Sequence, residues 1–281
     1  MLRVSFDQVN RVMYNAVERG LKRRSKRIVY RHVSLDEKAV RKGHVYISIL
    51  SEETTGTVIG VVEGRSKKSV DNLCGEWLTA KQKERVETIC VDMWDAYKYA
   101  AKKYFPTALL CHDNFHLVGY LNKAVDKVRK REVKKQEALK QTKYLFLKDQ
   151  TNLTEQQRIR FESIKDANYE VSRAWRIKEN FRDIQFRQTQ TEAFVIYNRW
   201  RNDALKANIP EITEVVEMFD RNMKGIINAI ATGSTNARAE RLNGAIQELK
   251  VRGRGYRNTQ NLINAILFFH GNLNLEPHNS Q

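Results

Sequence analysis

The sequence predicts an α/β protein: a three-strand antiparallel meander continued by parallel strands into one mixed sheet, interrupted by a large all-helical insertion. Three observations predict it. First, three β-rich runs lie close together, Ile28 to Leu35, His44 to Leu50 (HVYISIL) and Gly56 to Glu63 (GTVIGVVE). The polar turn Ser51 to Gly56 is short enough to join two of them as antiparallel neighbours. Second, short apolar runs then alternate with helical periodicity, as in strand–helix units whose strands pair in parallel. Third, from about Leu121 to Gly225 the apolar spacing is helical throughout.

Taken in order, residues 1–26 read as a short helix and a basic linker, either a solvated segment or a DNA-contacting arm. Ser5 offers a cap, and Val9, Val12, Met13, Val17 and Leu21 recur at helical spacing. Residues 27–120 form the first part of the sheet domain. The first strand ends at Leu35, so Asp36 sits at a strand end, where a rigid sheet can present a carboxylate to a divalent metal. Glu37 beside it reads as a solvated or supporting residue. Ser66 to Thr79 is helical by period. Glu87 to Trp94 is a short strand ending at Asp92, and Asp95 to Tyr104 is a helix closed by Pro106. Ala108 to Asp113 repeats the scheme, with a helix from about Phe115. Asp113 and Asp92 are rivals for the place of a second strand-end acid; Asp113 can equally cap its helix, and His116 is an accessory candidate beside it.

Residues 121–231 are the helical insertion. Lys123, Lys127, Arg129, Lys130 and Arg131 make a dense basic stretch suited to a phosphate backbone. Thr154 with Gln157 forms a capping-box pattern. Aromatics at helical spacing are core by default, but Trp175 and Trp200 are candidates to stack on a base. Residues 232–281 begin with the loop Thr232 to Asn236, which caps a helix bearing Arg238, Glu240, Arg241, Asn243, Gln247 and Lys250. A glycine-punctuated basic segment follows, with Arg252, Arg254 and Arg257, and then a last apolar helix, Leu262 to Phe269.

The 281 residues carry 50 Lys and Arg against 33 Asp and Glu, a formal charge of +17, which points to a polyanion partner, most simply DNA. Three scattered cysteines, Cys74, Cys90 and Cys111, give no structural zinc ribbon and suit a reducing compartment. No apolar run reaches a membrane span and no signal peptide is evident, so a cytoplasmic, nucleoid-associated protein is expected.

The ordered set of motifs is more specific than any one of them. Ser34-Leu35-Asp36-Glu37-Lys38 with Lys42-Gly43-His44-Val45-Tyr46 comes first, then Val62-Glu63-Gly64-Arg65. Val91-Asp92-Met93-Trp94-Asp95-Ala96-Tyr97 and Asp113-Asn114-Phe115-His116-Leu117-Val118 follow. The last are Thr235-Asn236-Ala237-Arg238-Ala239-Glu240-Arg241-Leu242-Asn243 and Gly253 to Asn258. Over roughly residues 27 to 275 the chain resembles the insertion-sequence transposases of the ISL-three family, whose catalytic domain is a ribonuclease H-like DDE fold. The resemblance implies Asp36, Asp92 and Glu240 as the catalytic and metal-binding acids. It also implies two Mg²⁺ (or Mn²⁺) ions, DNA ends and target DNA as substrates, and a homo-oligomeric active complex. Hard carboxylate oxygens suit those ions, and three acids would repel one another without them. Relatives of this kind carry an N-terminal zinc ribbon and a helix-turn-helix region, which are expected to be absent here apart from the first helix. A catalytically silent DNA-binding remnant and another nuclease of the same fold are the alternatives.

Overall fold

The structure, a computed structural model, describes residues 5–41, 45–186, 188–234 and 237–277, and for 237–240 the backbone alone. The motif residues Lys42, Gly43, His44, Thr235 and Asn236 lie outside the described residues. The chain divides into two compact units, one built from residues 1–111 and 234–281, the other from 112–233.

The first unit is organised on a mixed five-stranded sheet in the ribonuclease H-like arrangement expected from the sequence. Its strands are β1 (His32–Arg41), β2 (Val45–Glu52), β3 (Val58–Glu63), β4 (Thr88–Val91) and β5 (Leu109–His112), in the order β3-β2-β1-β4-β5. The meander is antiparallel, and β1 pairs with β4 in parallel. The first strand differs from the expected Ile28–Leu35. Ile28 and Val29 are exposed lead-in residues, and the strand runs on through polar Asp36, Glu37 and Lys38. Hydrogen bonding to β2 continues to Arg41 and defines the strand more than its hydrophobicity does. Asp36 is therefore not at the end of β1; it is where the parallel partner stops.

Both faces of the sheet are covered. On one face α2 (Lys67–Glu76) and α4 (Asp95–Tyr104) pack over Val33, Leu35, Ile89 and Val91. On the other, α12 (Ala237–Arg252) and α13 (Thr259–His270) bring Leu242, Ile246 and Ile263 onto Ile47, Ile49 and Val61. A short helix absent from the sequence reading, α3 (Ala80–Glu84), precedes β4, started by a Thr79–Gln82 capping box. The first helix, α1 (Phe6–Arg23), begins with a capping box at Ser5 and joins this second core through Val17. Its Arg19 and Arg23 donate to the backbone carbonyls of Leu275 and Glu276.

The second unit contains α5 (Asn114–Glu132), α6 (Lys143–Leu147), α7 (Glu155–Lys165), α8 (Glu170–Arg182), α9 (Gln190–Lys206), α10 (Pro210–Asp220) and α11 (Met223–Thr232). Edge-to-face aromatic contacts link Phe146, Phe161 and Trp175, and another group joins Phe181, Trp200 and Phe219. The Glu132 carboxylate accepts from the Glu170 and Val171 N–H groups, capping α8 with a side chain from α5. Among the described residues, no helix is long and apolar enough to cross a membrane.

Candidate active site

The parallel pair sets the geometry. It runs from His32 beside Thr88 to Leu35 beside Val91, so the next residues along each strand, Asp36 and Asp92, leave the pair side by side. Successive side chains alternate between faces. Val33, Leu35, Ile89 and Val91 enter the core under α2 and α4, which assigns Asp36 to the opposite face, the one covered by α12. By the same alternation Asp92, two positions past Cys90, shares that face. Both carboxylates are half-buried. Asp36 Oδ1 accepts from the Glu37 N–H at 2.7 Å, and Asp92 Oδ1 from the Met93 N–H at 2.6 Å.

Helix α12 is fixed over this edge by three kinds of contact. Leu242 and Ile246, four residues apart, bury one stripe of the helix in the core. Asn243 Nδ2 donates to Asp36 Oδ2 at 2.7 Å. Lys250 Nζ donates to the Ala39 carbonyl of β1 at 3.0 Å, and burial lowers its pKa, with the Lys38 charge adding to the effect. Lys250 thus anchors α12 on β1. Before the helix, the Ser234 hydroxyl donates to Glu53 on the β2–β3 turn. Glu240 lies three residues before Asn243 on the same helix. The side chains of Glu240 and Arg238 lie outside the described residues.

Behind the acids, on the opposite face, lies a second polar group. Glu37 Oε1 accepts from Arg65 at 2.8 Å, and the bond holds the Arg65 pKa up. The Arg65 guanidinium sits 4.0 Å from the centre of the Tyr46 ring and 5.3 Å from that of Trp94. Gly64, with φ of +87°, makes the turn that brings Arg65 there, a backbone shape side chains rarely adopt. Tyr97 is buried below, its hydroxyl 3.1 Å from that of Ser48. Burial raises its pKa, and the nearby Glu37 and Asp36 charges push the same way, so it stays protonated.

The other residues singled out in the sequence divide clearly. Asp113 is buried, follows β5 rather than the strand next to β1, and caps α5 by accepting from the Phe115 N–H; His116 Nε2 lies 3.6 Å from it. Trp175 and Trp200 are only 8% and 6% exposed. They are core residues of the second unit, and Trp200 Nε1 donates to the Ile177 carbonyl, so neither has a ring face to offer a base. Arg129 is buried against Asp126, which leaves little of it for a DNA backbone, and Arg131, partly exposed, bridges Glu170 and Glu211. Lys123, Lys127 and Lys130 are exposed, although Lys127 faces Glu214 and Lys130 faces Asp126. Arg241, Arg252, Arg254 and Arg257 are exposed as well, with Arg252 paired to Glu248.

Two contributors escaped the sequence reading: Asn243, quoted in a motif but given no role, and the Glu37–Arg65 pair. The three-residue step from Glu240 to Asn243 was the signal for the first.

The donor set at this edge fits a divalent cation. Two acidic side chains leave neighbouring strands at one edge and offer hard oxygens. Among the described residues no group of three or more His, Cys, Asp or Glu is assembled as a metal site; the Glu240 side chain stands outside that set.

A transposase family model of the ISL3 type matches residues 33–266. The chain is 23% identical, over 237 residues, to the transposase of insertion sequence element IS1001 from Bordetella parapertussis, covering 82% of this chain and 58% of that protein. It is also 23% identical, over 261 residues, to the transposase of IS1557 from Mycobacterium tuberculosis, covering 83% of this chain and 58% of the relative. The chain therefore spans a little more than half the length of these relatives. The match extends over β1, β4 and α12, the three elements that form the acidic edge. The chain belongs to the ISL3 transposase family.

Proposed function

We propose that this chain carries the catalytic centre for metal-dependent DNA strand cleavage and strand transfer at insertion-sequence ends, with Asp36, Asp92 and Glu240 as its acids. The observation that carries the reading is the register of β1 and β4, which sets Asp36 beside Asp92, together with the Asn243–Asp36 bond that docks the helix bearing Glu240 over them. Mg²⁺ or Mn²⁺ ions held there, two in number, would activate the attacking oxygen and stabilise the leaving one in displacement at a phosphodiester.

The protein's own groups prepare that chemistry. Two strands of a packed sheet fix Asp36 and Asp92, so little reorganisation is needed as charge builds on the phosphate. Asn243 orients Asp36 by donating its amide N–H to Oδ2. Lys123, Lys127, Lys130, Arg241, Arg252, Arg254 and Arg257 supply positive charge for the DNA backbone, with affinity that falls steeply as salt rises. Arg238 is a further candidate by its place on α12. Joining two element ends in one event calls for at least two copies of the chain.

Asp92→Ala tests the reading. It should abolish strand cleavage of a plasmid carrying the gene with its flanking DNA, while DNA binding stays within about twofold of wild type. Cleavage by the variant in Mg²⁺ would show the acids to be wrongly assigned.

A further inference from the structure

We propose that Trp94, backed by Arg65 and Tyr46, is a stacking platform for an unpaired nucleobase at the same edge of the sheet as the acids, on its other face. The inference rests on the reading of that edge as a DNA-cleaving centre and adds a base-recognition site to it.

Of the four tryptophans only Trp94 is exposed, at 48%. Trp175 and Trp200 are core residues, and Trp77 lies half-buried against Gly60, whose position a Cβ would share with the indole ring at 2.4 Å. Trp94 comes two residues after Asp92, at the N-terminus of α4, yet makes no side-chain cap there. Its ring is held instead beside a cation: Arg65 lies within cation–π range of both Trp94 and Tyr46. Arg65 is fixed in turn by Glu37, the residue after Asp36. Glu37 thus follows Asp36 directly on β1, and Trp94 comes two residues after Asp92 beyond the end of β4.

An exposed indole stiffened by a guanidinium presents a flat, polarisable face and a positive charge together. That combination recognises a base by its ring and the strand by its phosphate, without regard to sequence. Bases inside a duplex hide their faces in the stack, so the occupant is a base at a strand end or one lifted out of the helix. A frayed or cleaved DNA end supplies such a base.

The test is fluorescence anisotropy in EDTA, so that binding is read without cleavage. The probes are a labelled DNA duplex with a short single-stranded overhang and the same duplex made blunt. Trp94→Ala and Trp94→Leu should weaken overhang binding roughly 5- to 100-fold and blunt-duplex binding less than about twofold, while Trp94→Phe restores most of the loss. Trp94→Leu keeps apolar bulk, so its loss would not reflect misfolding. An equal loss on both probes, no loss on the overhang, or no binding of either probe by the wild-type chain overturns the platform. A chain that binds the overhang through Trp94 but never cleaves would refute the proposed reaction and leave the platform standing.

Discussion

Asn243 shows how much can rest on one amide. Its bond to Asp36 joins residues far apart in the chain and fixes both the carboxylate's orientation and the seating of α12. Asn243→Ala should lower Mn²⁺ affinity and cleavage rate about 10- to 100-fold with little change in thermal stability. Metal titration by calorimetry checks it, and an unchanged affinity would assign the bond to packing alone. A different residue governs acid stability. Burial alone would raise the Glu52 pKa, but the Thr54 and Thr55 N–H groups and the Thr55 hydroxyl all donate to this carboxylate and bring it below its ordinary 4.5. A depressed folded-state pKa gives stability that is full above the unfolded value and lost as pH falls through the folded one. The melting-temperature advantage of wild type over Glu52→Gln should therefore hold at neutral pH and shrink below about pH 4.5. The sequence placed both residues in recognisable segments, a motif and a β-turn. It could not show that either side chain is held by hydrogen bonds.

At the scale of elements, α12 ends in a way that sets stability against function. The Arg254 N–H donates to the Val251 carbonyl at 3.0 Å and the Gly255 N–H to that of Lys250 at 2.7 Å, a Schellman pair. The left-handed position at φ of 50° that such a motif usually gives to glycine is held here by Arg254. That costs about 1 kcal/mol relative to glycine. Arg254→Gly should stabilise the chain by up to about 1 kcal/mol in thermal unfolding and still weaken DNA binding, with a salt slope shallower by about one phosphate contact. A variant that is more stable and binds equally well would remove Arg254 from the DNA surface. Helix ends such as this were legible as glycine-rich punctuation, and α4 was legible residue for residue because Pro106 and the apolar period agree. The extent of β1 was not, because its partner β2 sustains a polar stretch that periodicity reads as a strand's end. Nor were Trp175 and Trp200, since helical spacing reports that a ring shares a face with others but not whether that face is covered.

At the scale of the whole chain, the sheet order made the decisive distinction. β4 lies next to β1 and β5 beyond it, so Asp92 leaves the sheet beside Asp36 while Asp113 caps a helix of the other unit. Strand-end acids could be found by pattern, but their pairing depends on strand order, which no local signal carries. Most of the net positive charge was likewise visible as a polyanion signal. The structure then withdrew Arg129, which is buried against Asp126. What remains central is the proposal that acids from three distant segments serve one cation site. Isothermal titration of Mn²⁺ tests this directly on the intact chain. Wild type should bind, affinity should fall at least about tenfold in each of Asp36→Asn, Asp92→Asn and Glu240→Gln, and Asp113→Asn should keep wild-type affinity. Undiminished binding by Asp92→Asn, or a loss confined to Asp113→Asn, would contradict it.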